Sequence, residues 1–272
     1  MLDYSSWLLV SDIDGTLNDK KRNLPKNNKK AVLDFVSRGG NFALCSGRNL
    51  QSLSKHYKKL NLNSPAIFMN GAGIYDFKTD KLLDFIPVSQ AGEDFCFEVH
   101  RLFRTEMSVY TNGPIYSSGK QISGYVVSKL DNLDRVAVKN DKELPRGNWG
   151  KVNFFASPFT IKKMKNYFEN NNAMSVCQFF LTSPFTMEVV SKNVNKGNGV
   201  KKLAEILGVS MEFTAAIGDY YNDVDMLKAV MHPVCCKQAP RDIKNICEYT
   251  ACHCNDGAVA DFINYINEKY IK

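Results

Sequence analysis

No stretch of the sequence approaches the ~18 consecutive apolar residues that a membrane-spanning helix requires, so neither an integral membrane protein nor a membrane partner is expected. The chain starts Met1-Leu2-Asp3-Tyr4, and the only apolar stretch near it, Trp7 to Val10, is too short and wrongly flanked for a secretory signal. A cytoplasmic protein is the expectation. Internal repeats and low-complexity linkers are missing as well. The paired Cys-x2-4-Cys or His-x3-5-His spacing of structural zinc sites is also absent. There are eight cysteines (45, 96, 177, 235, 236, 247, 252 and 254), and the last five lie near His232 and His253. They fall as Cys235-Cys236, Cys247 and Cys252-His253-Cys254, which fits no zinc pattern. In a long chain without an export signal they read as reduced thiols buried in strands and helices. Basic residues gather at Lys20-Lys21-Arg22, at Lys26, Lys29 and Lys30, at Lys58-Lys59 and at Lys201-Lys202. No aromatic residues interleave them and no nucleic-acid motif accompanies them, so solvated helix faces account for them and no nucleic-acid partner is expected.

The composition that remains is that of an ordinary globular protein. Its 272 residues are 44% hydrophobic and 23% charged, which excludes a wholly disordered or fibrous chain. That length allows one large domain or two modest ones, each with a real core. The net charge is +7, and residues 83–190 are nearly neutral, so the excess falls on the two flanking segments. A mild positive field of this kind suits a small anionic substrate.

The apolar run Leu8 to Ser11 reads as a buried strand ending in Asp12-Ile13-Asp14-Gly15-Thr16. Beyond Pro25, the spacing of Ala31, Val32, Phe35 and Val36 predicts a helix closed by Gly39-Gly40. Asn41 to Cys45 is a second strand, stopped by Ser46-Gly47-Arg48, and Leu50, Leu53, Tyr57 and Leu60 mark a second helix. Ala66 to Met69 is a third strand, followed by Asn70-Gly71. This alternation implies right-handed crossovers and a parallel sheet. A hairpin, Ile74 to Phe77 with Leu82 to Ile86, then opens a stretch of short strands and two helices, around Asp94 to Phe103 and Ile161 to Glu169. From Lys196 the α/β rhythm resumes: a helix to about Leu207, a strand over Phe213 to Ile217, a helix through Met226 and Leu227, a short strand at Pro233 to Cys235, and a last helix over Val259 to Ile271. The expected fold is α/β, a Rossmann-like parallel-sheet core made of residues 1–82 and 191–272, with an α+β domain of residues 83–190 inserted in it.

Three strand ends deliver polar residues, and in an open parallel sheet ligands bind at the carboxyl ends of the strands. Asp12 and Asp14, two apart in extended backbone, face one site. Carboxylates so close repel each other unless a cation or a shared proton intervenes, and a hard divalent ion with oxygen ligands is the natural answer. Surface aspartates capping a turn are the plainer account, a poor one after a buried strand. Ser46-Gly47-Arg48 presents a hydroxyl and backbone amides beside a helix start, suited to a phosphate oxygen but equally an everyday N-cap and turn. Gly218-Asp219-Tyr220-Tyr221-Asn222-Asp223 offers two carboxylates and an amide, where simple capping would explain only one acid. Lys196-Gly197 opens a helix, an unfavourable place for a lysine unless an anion lies nearby.

In this order the four elements resemble the motifs of the haloacid dehalogenase superfamily, and within it the Cof-type phosphatases with a class IIB cap. Asp12-Ile13-Asp14-Gly15-Thr16-Leu17 is similar to the first motif, Ser46-Gly47-Arg48 to the second, Lys196-Gly197 to the third and Gly218-Asp219-x-x-Asn222-Asp223 to the fourth. Asn70-Gly71 matches the Asn-Gly after the third core strand of that branch. Asn255-Asp256-Gly257-Ala258-Val259-Ala260 resembles its C-terminal segment with one extra Ala. The resemblance implies a Mg2+-dependent phosphatase of small phosphorylated metabolites. Asp12 would be the nucleophile that forms an aspartyl-phosphate and Asp14 the acid and base, with Ser46 and Lys196 holding the transferring group. Gly47, Arg48, Asn70, Gly71 and Asn222 would stand around the substrate. The implied metal ligands are the Asp12 carboxylate, the Asp14 backbone carbonyl and Asp219, with Asn222 nearby and Asp223 behind them orienting Lys196 or a metal-bound water. The inserted cap would close over the site and choose the substrate, and a monomer or weak homo-oligomer is expected. Tyr116, Arg135, Arg146, Lys151 and Asn153 are candidate specificity residues, although surface or packing roles account for them better, as they do for His100. His56, beside Lys55 and Lys58, reads as part of a solvated face. A phosphohexomutase on the same core is the alternative activity, against which the nearly neutral cap argues. A phospho-accepting signalling module is a further one, although such modules are shorter and lack both the cap and Asp14.

Overall fold

Leu8, Leu9, Val10 and Ser11 are buried on both faces, the pattern of a central strand in a covered parallel sheet, and they form β1 (Leu8–Ser11). The structure, a computed structural model, describes residues 4–118, 134–171 and 173–271. Residues up to Arg48, Leu53–Asp84 and the chain from Asn195 onward make one compact unit, and Asn49–Ser52 with Phe85–Val194 make another.

In the first unit β1 pairs in parallel with β2 (Asn41–Leu44) on one side and with β12 (Thr214–Gly218) on the other. Next to β12 come β13 (His232–Cys236) and β14 (Tyr249–Ala251), giving the order β14-β13-β12-β1-β2. Helices α1 (Lys26–Ser37), α2 (Leu50–Leu60), α5 (Lys196–Leu207), α6 (Val224–Ala229), α7 (Arg241–Lys244) and α8 (Ala258–Tyr270) connect or follow these strands. Leu8 and Val10 face a core with Val200, Leu203 and Met226, whereas Leu9 points to the opposite side, as strand alternation requires. Asn195 caps α5 with its side chain, and Gly208 in the left-handed region closes it.

Two elements differ from the sequence reading. The third strand, β3 (Ala66–Phe68), meets the chain just past β2 through the parallel bridge Cys45↔Ile67 and the Ser46 N–H on the Ile67 carbonyl, and forms its ladder with β4 (Gly73–Asp76), which continues to β5 (Lys81–Phe85). Met69, Asn70 and Gly71 all have positive φ and turn the chain back on itself, which converts a parallel strand into the start of an antiparallel sheet. The edge strand β14 escapes the sequence reading because three residues, one half-buried, one exposed and one buried, carry no periodic signal.

The second unit is a six-stranded sheet in the order β10-β11-β9-β6-β7-β8. Its strands are β6 (Glu106–Tyr110), β7 (Ile115–Ser118), β8 (Arg135–Val138), β9 (Lys151–Phe155), β10 (Cys177–Ser183) and β11 (Thr186–Ser191). All pairs are antiparallel except β7 with β8. Met107, Val109, Val152, Phe154, Met187 and Val189 line one face and pack against Phe97 of α3 (Gln90–Phe103) and against Ile161, Met164 and Phe168 of α4 (Pro158–Asn170). Ser89 and Ser157 cap these helices through their hydroxyls, so each begins a few residues before its apolar period.

Asn28, 0% exposed, ties the loop after β1 to the C-terminal segment. Its Nδ2 donates to the Leu17 carbonyl at 2.8 Å, and its Oδ1 accepts the Ala260 N–H at 2.8 Å. Asn28→Ala is expected to lower stability by about 2 kcal/mol, because it takes the amide donor from the carbonyl of the buried Leu17 and removes one of the two acceptors of the Ala260 N–H, which also reaches the Gly257 carbonyl at 3.0 Å. Urea denaturation checks this, and a variant within about 0.5 kcal/mol of wild type would contradict it.

Candidate functional site

Backbone pairing carries the chain past the end of β1: Asp12 N–H donates to the Ile217 carbonyl at 3.1 Å, so the Asp12 carboxylate leaves the sheet at the C-terminal edge of its centre. The chain then turns tightly, with the Leu17 N–H on the Asp12 carbonyl and the Asn18 N–H on the Ile13 carbonyl. Gly15 makes this possible. Its φ is +83°, and a Cβ there would stand 2.6 Å from the Asp219 carboxylate, so the turn after β1 lies directly against the end of β12.

Lys196 enters from the first turn of α5. Its ammonium is 1% exposed and donates to Asp12 Oδ1 and to Asp223 Oδ1, both at 2.6 Å. The anion that would justify a lysine at a helix start is therefore present twice. The approach is close: a Cβ on Gly71, whose φ is +101°, would lie 2.2 Å from the Asn195 carbonyl. Asp223 accepts with its other oxygen from the backbone N–H groups of Asp219 (2.9 Å) and Tyr220 (3.1 Å), so it fixes both the lysine and the loop that carries Asp219.

Ser46 is buried at the end of β2, and its hydroxyl accepts the Arg48 N–H at 3.3 Å. The Asn70 N–H donates to the Ser46 carbonyl at 3.0 Å, and Gly47 lies against the Asn70 amide, so the second and third strand ends are joined. Arg48 holds Asp14 with two bonds, Nε to Oδ2 at 2.7 Å and Nη2 to Oδ1 at 2.6 Å. Asp12 is buried; Asp14 is exposed, Asp219 half-buried and Asn222 exposed on its turn.

The carboxylates are tuned apart. Burial pushes Asp12 up to about 8, with Lys196 opposing and Asp223 reinforcing. Burial and Asp223 push Asp219 up to about 6, against hydrogen bonds from Gln238 and Thr16. Burial also works to raise Asp14, but the Arg48 guanidinium outweighs it and holds the carboxyl below its ordinary range. For Lys196, burial disfavours the charge, but Asp12 and Asp223 together keep it protonated.

Asp12, Asp219 and Asp223 each offer a carboxylate oxygen within 4.8 Å of the others. Three oxygen donors, two of them raised in pKa by burial and mutual repulsion, fit a hard divalent cation, which would relieve that repulsion. Asp223 already serves Lys196 and two backbone N–H groups, so Asp12 and Asp219 are the better suited pair.

Two partners of this cluster have no role in the sequence reading, which names Thr16 only as part of the first motif and Gln238 not at all. Gln238, two residues past β13, donates Nε2 to the Gly15 carbonyl at 2.5 Å and lies 3.5 Å from Asp219 Oδ2, while its Oε1 accepts the Cys254 N–H at 3.2 Å. The rule that singled out the other strand ends applies to this one equally. Thr16 donates to Asp219 Oδ1 at 3.3 Å. His56 is no solvated residue: it is half-buried, and its Nε2 meets Asn18 Nδ2 at 2.9 Å.

In the second unit, all five candidates find local partners. Tyr116 packs on the helix side of the sheet. Arg146 pairs with Glu93 at 2.5 Å and Asp94 at 2.6 Å, Lys151 with Glu188 at 3.0 Å. Asn153 reaches the Tyr110 hydroxyl at 3.4 Å and Arg135 the Ser117 hydroxyl at 2.9 Å. His100 lies 3.4 Å from Asp141.

Known proteins resemble this chain over most of its length. The sequence profile described as haloacid dehalogenase-like hydrolase matches residues 9–263. A Streptococcus pyogenes protein named "Putative phosphatase" is 28% identical over 268 residues, covering 94% of this chain and 96% of that one. A Bacteroides thetaiotaomicron haloacid dehalogenase-like hydrolase of known structure shares the fold with a TM-score of 0.87 at 20% identity, over 96% of this chain and 99% of that one. So does the HAD subclass IIB sugar phosphatase BT4131, with a TM-score of 0.82 at 17% identity over 96% and 99%.

Protons compete with a cation for Asp219 up to pH about 6 and for Asp12 up to pH about 8. The rise in Tm caused by Mg2+ is therefore expected to be small at pH 5 and to grow as pH rises to 8. Thermal denaturation in Mg2+ and in EDTA across that range measures it, and a shift that is constant or largest at pH 5 would count against the cation site.

Proposed function

Because the chain belongs to the haloacid dehalogenase-like hydrolase family, we propose that it is a Mg2+-dependent phosphatase of small phosphorylated metabolites, sugar phosphates or similar monoesters. The observation that carries this reading is the Lys196 ammonium held 2.6 Å from both Asp12 and Asp223, beside an Asp14 clamped by Arg48. The names of the relatives support the reaction class, and the sugar phosphatase fold supports the substrate class.

In this mechanism the Asp12 carboxylate attacks phosphorus and forms an aspartyl-phosphate. Lys196 neutralises Asp12 and the transferring oxygens, and Asp223 aims Lys196. The Ser46 hydroxyl, with Gly47, Asn70 and Gly71 around it, receives a second phosphate oxygen. Asp14 protonates the departing alkoxide, then takes a proton from the water that hydrolyses the intermediate. Arg48 keeps Asp14 ionised in the free enzyme, and an arriving phosphate competes for the guanidinium and releases the carboxyl to carry a proton. Asp12, Asp219 and the Asp14 backbone carbonyl, with Asn222 nearby, would hold Mg2+, which would supply charge neutralisation on the phosphoryl group. Residues 83–190 act as the cap domain that selects the leaving group.

Phosphate release from a panel of phosphomonoesters tests the reading. Asp12→Asn is expected to abolish Mg2+-dependent release. Asp14→Asn should lower kcat/KM, which reports transfer to Asp12, by roughly 10²–10⁴-fold on alkyl esters and much less on aryl esters, whose leaving groups need no proton, while kcat falls on both because hydrolysis of the intermediate loses its base. Full activity in Asp12→Asn, or an equal Asp14→Asn loss of kcat/KM on both ester types, would overturn these assignments.

A further inference from the structure

All eight cysteines are free thiols, and seven have pKa values pushed up, each with burial among the causes. The exception lies away from the site described above. Cys235, in β13, belongs to a small apolar cluster with Leu227, Ala239 and Ile243, against which Cys247 packs. The backbone fixes Cys247 beside that strand. Its N–H donates to the Lys244 carbonyl at 3.2 Å, the Glu248 N–H donates to the Pro233 carbonyl at 2.9 Å, and Val234 pairs with Tyr249. The Cys235 sulfur lies 3.7 Å from the Thr250 hydroxyl and 4.0 Å from the Tyr249 carbonyl, and Cys247 packs against the same small cluster. Cys235 is buried and Cys247 half-buried, so one sulfur of the pair is reachable from solvent.

We propose that Cys235 and Cys247 form an oxidisable dithiol, a modification site at which hydrogen peroxide closes a reversible Cys235–Cys247 disulfide. The surroundings favour this chemistry. A hydrogen bond from Cys247, helped by Thr250 and Lys244 and opposed by burial, brings Cys235 down to about 7, while the same contact pushes Cys247 up. One negative charge near neutral pH thus belongs to the pair. When the shared proton moves to Cys235, the Cys247 thiolate attacks a peroxide oxygen. The O–O bond breaks, and the departing hydroxide takes the Cys235 proton and leaves as water. The Cys235 thiolate then attacks the Cys247 sulfenic sulfur, the S–O bond breaks, and the second hydroxide takes the proton released when the pair first ionised. Two thiols lose two electrons in all, and one peroxide becomes two waters.

The site stands independently of the phosphatase reading, since neither thiol takes part in that chemistry. The same strand nevertheless leads to Cys236, whose sulfur meets the Thr16 hydroxyl at 3.8 Å, and then to Gln238 beside Asp219. The experiment uses the folded full-length chain. Alkylation by iodoacetamide at pH 7 should be roughly tenfold faster at Cys247 than at Cys252, the other half-buried thiol. Stoichiometric hydrogen peroxide followed by peptide mapping should yield one species, lacking two hydrogens, that joins the Cys235 and Cys247 peptides. Dithiothreitol should reverse it, and Cys247→Ser should abolish it. Equal alkylation of Cys247 and Cys252, absence of the joined peptide from wild type, or its assignment to another cysteine pair would overturn the proposal.

Discussion

Asp12 and Asp223 lie in the segments that follow the adjacent strands β1 and β12, and two carboxylates cannot remain buried and ionised side by side without a cation between them. Lys196 supplies that cation from a third segment, bonding both at 2.6 Å. The contact works in both directions. An ammonium that is 1% exposed would itself be costly to bury unpaired, so lysine and carboxylates make one another tolerable. Because Asp223 also holds the Asp219 and Tyr220 N–H groups, the same contact sets the loop on which Asp219 sits.

Close backbone approach is what lets this triad form. The positive φ values of Met69, Asn70 and Gly71 turn the chain after β3 so that the α5 N-terminus passes within a distance no side chain at Gly71 would allow. Gly15 plays the matching part between the end of β1 and Asp219. Gln238 and Thr16 then hold Asp219 from two sides, so that a half-exposed carboxylate is restrained before any ligand arrives. The physical sense is preorganisation: groups that must meet charge are held in place by the fold and need no rearrangement to receive it.

Much of this was legible in the sequence, for identifiable reasons. Uninterrupted apolar runs mark β1 and β12, and the polar residues that end them stand out because such runs rarely end in carboxylates by chance. Lys196 was legible through an electrostatic oddity, a positive charge at the positive end of a helix. Gln238 was not, because an uncharged amide after a Cys-Cys strand end offers no such oddity. His56 misled, since its lysine neighbours imply solvent while its ring turns inward to Asn18. In the second unit Arg146 and Lys151 look like free cations in sequence, and only folding shows Glu93, Asp94 and Glu188 beside them.

The sequence by itself determined the element order, the alternation that demands a parallel sheet, and which acids, amides and hydroxyls stand at strand ends, because these follow from periodicity and turn chemistry within a few residues. Tertiary structure alone decided that Lys196 lies between Asp12 and Asp223, that Arg48 grips Asp14, that β3 leaves the parallel sheet, and that Cys235 meets Cys247. These contacts join segments as much as 184 residues apart, and no local propensity encodes a distance of that kind. It is set by how the crossovers bring strand ends together and by which charges can be buried only in one another's company.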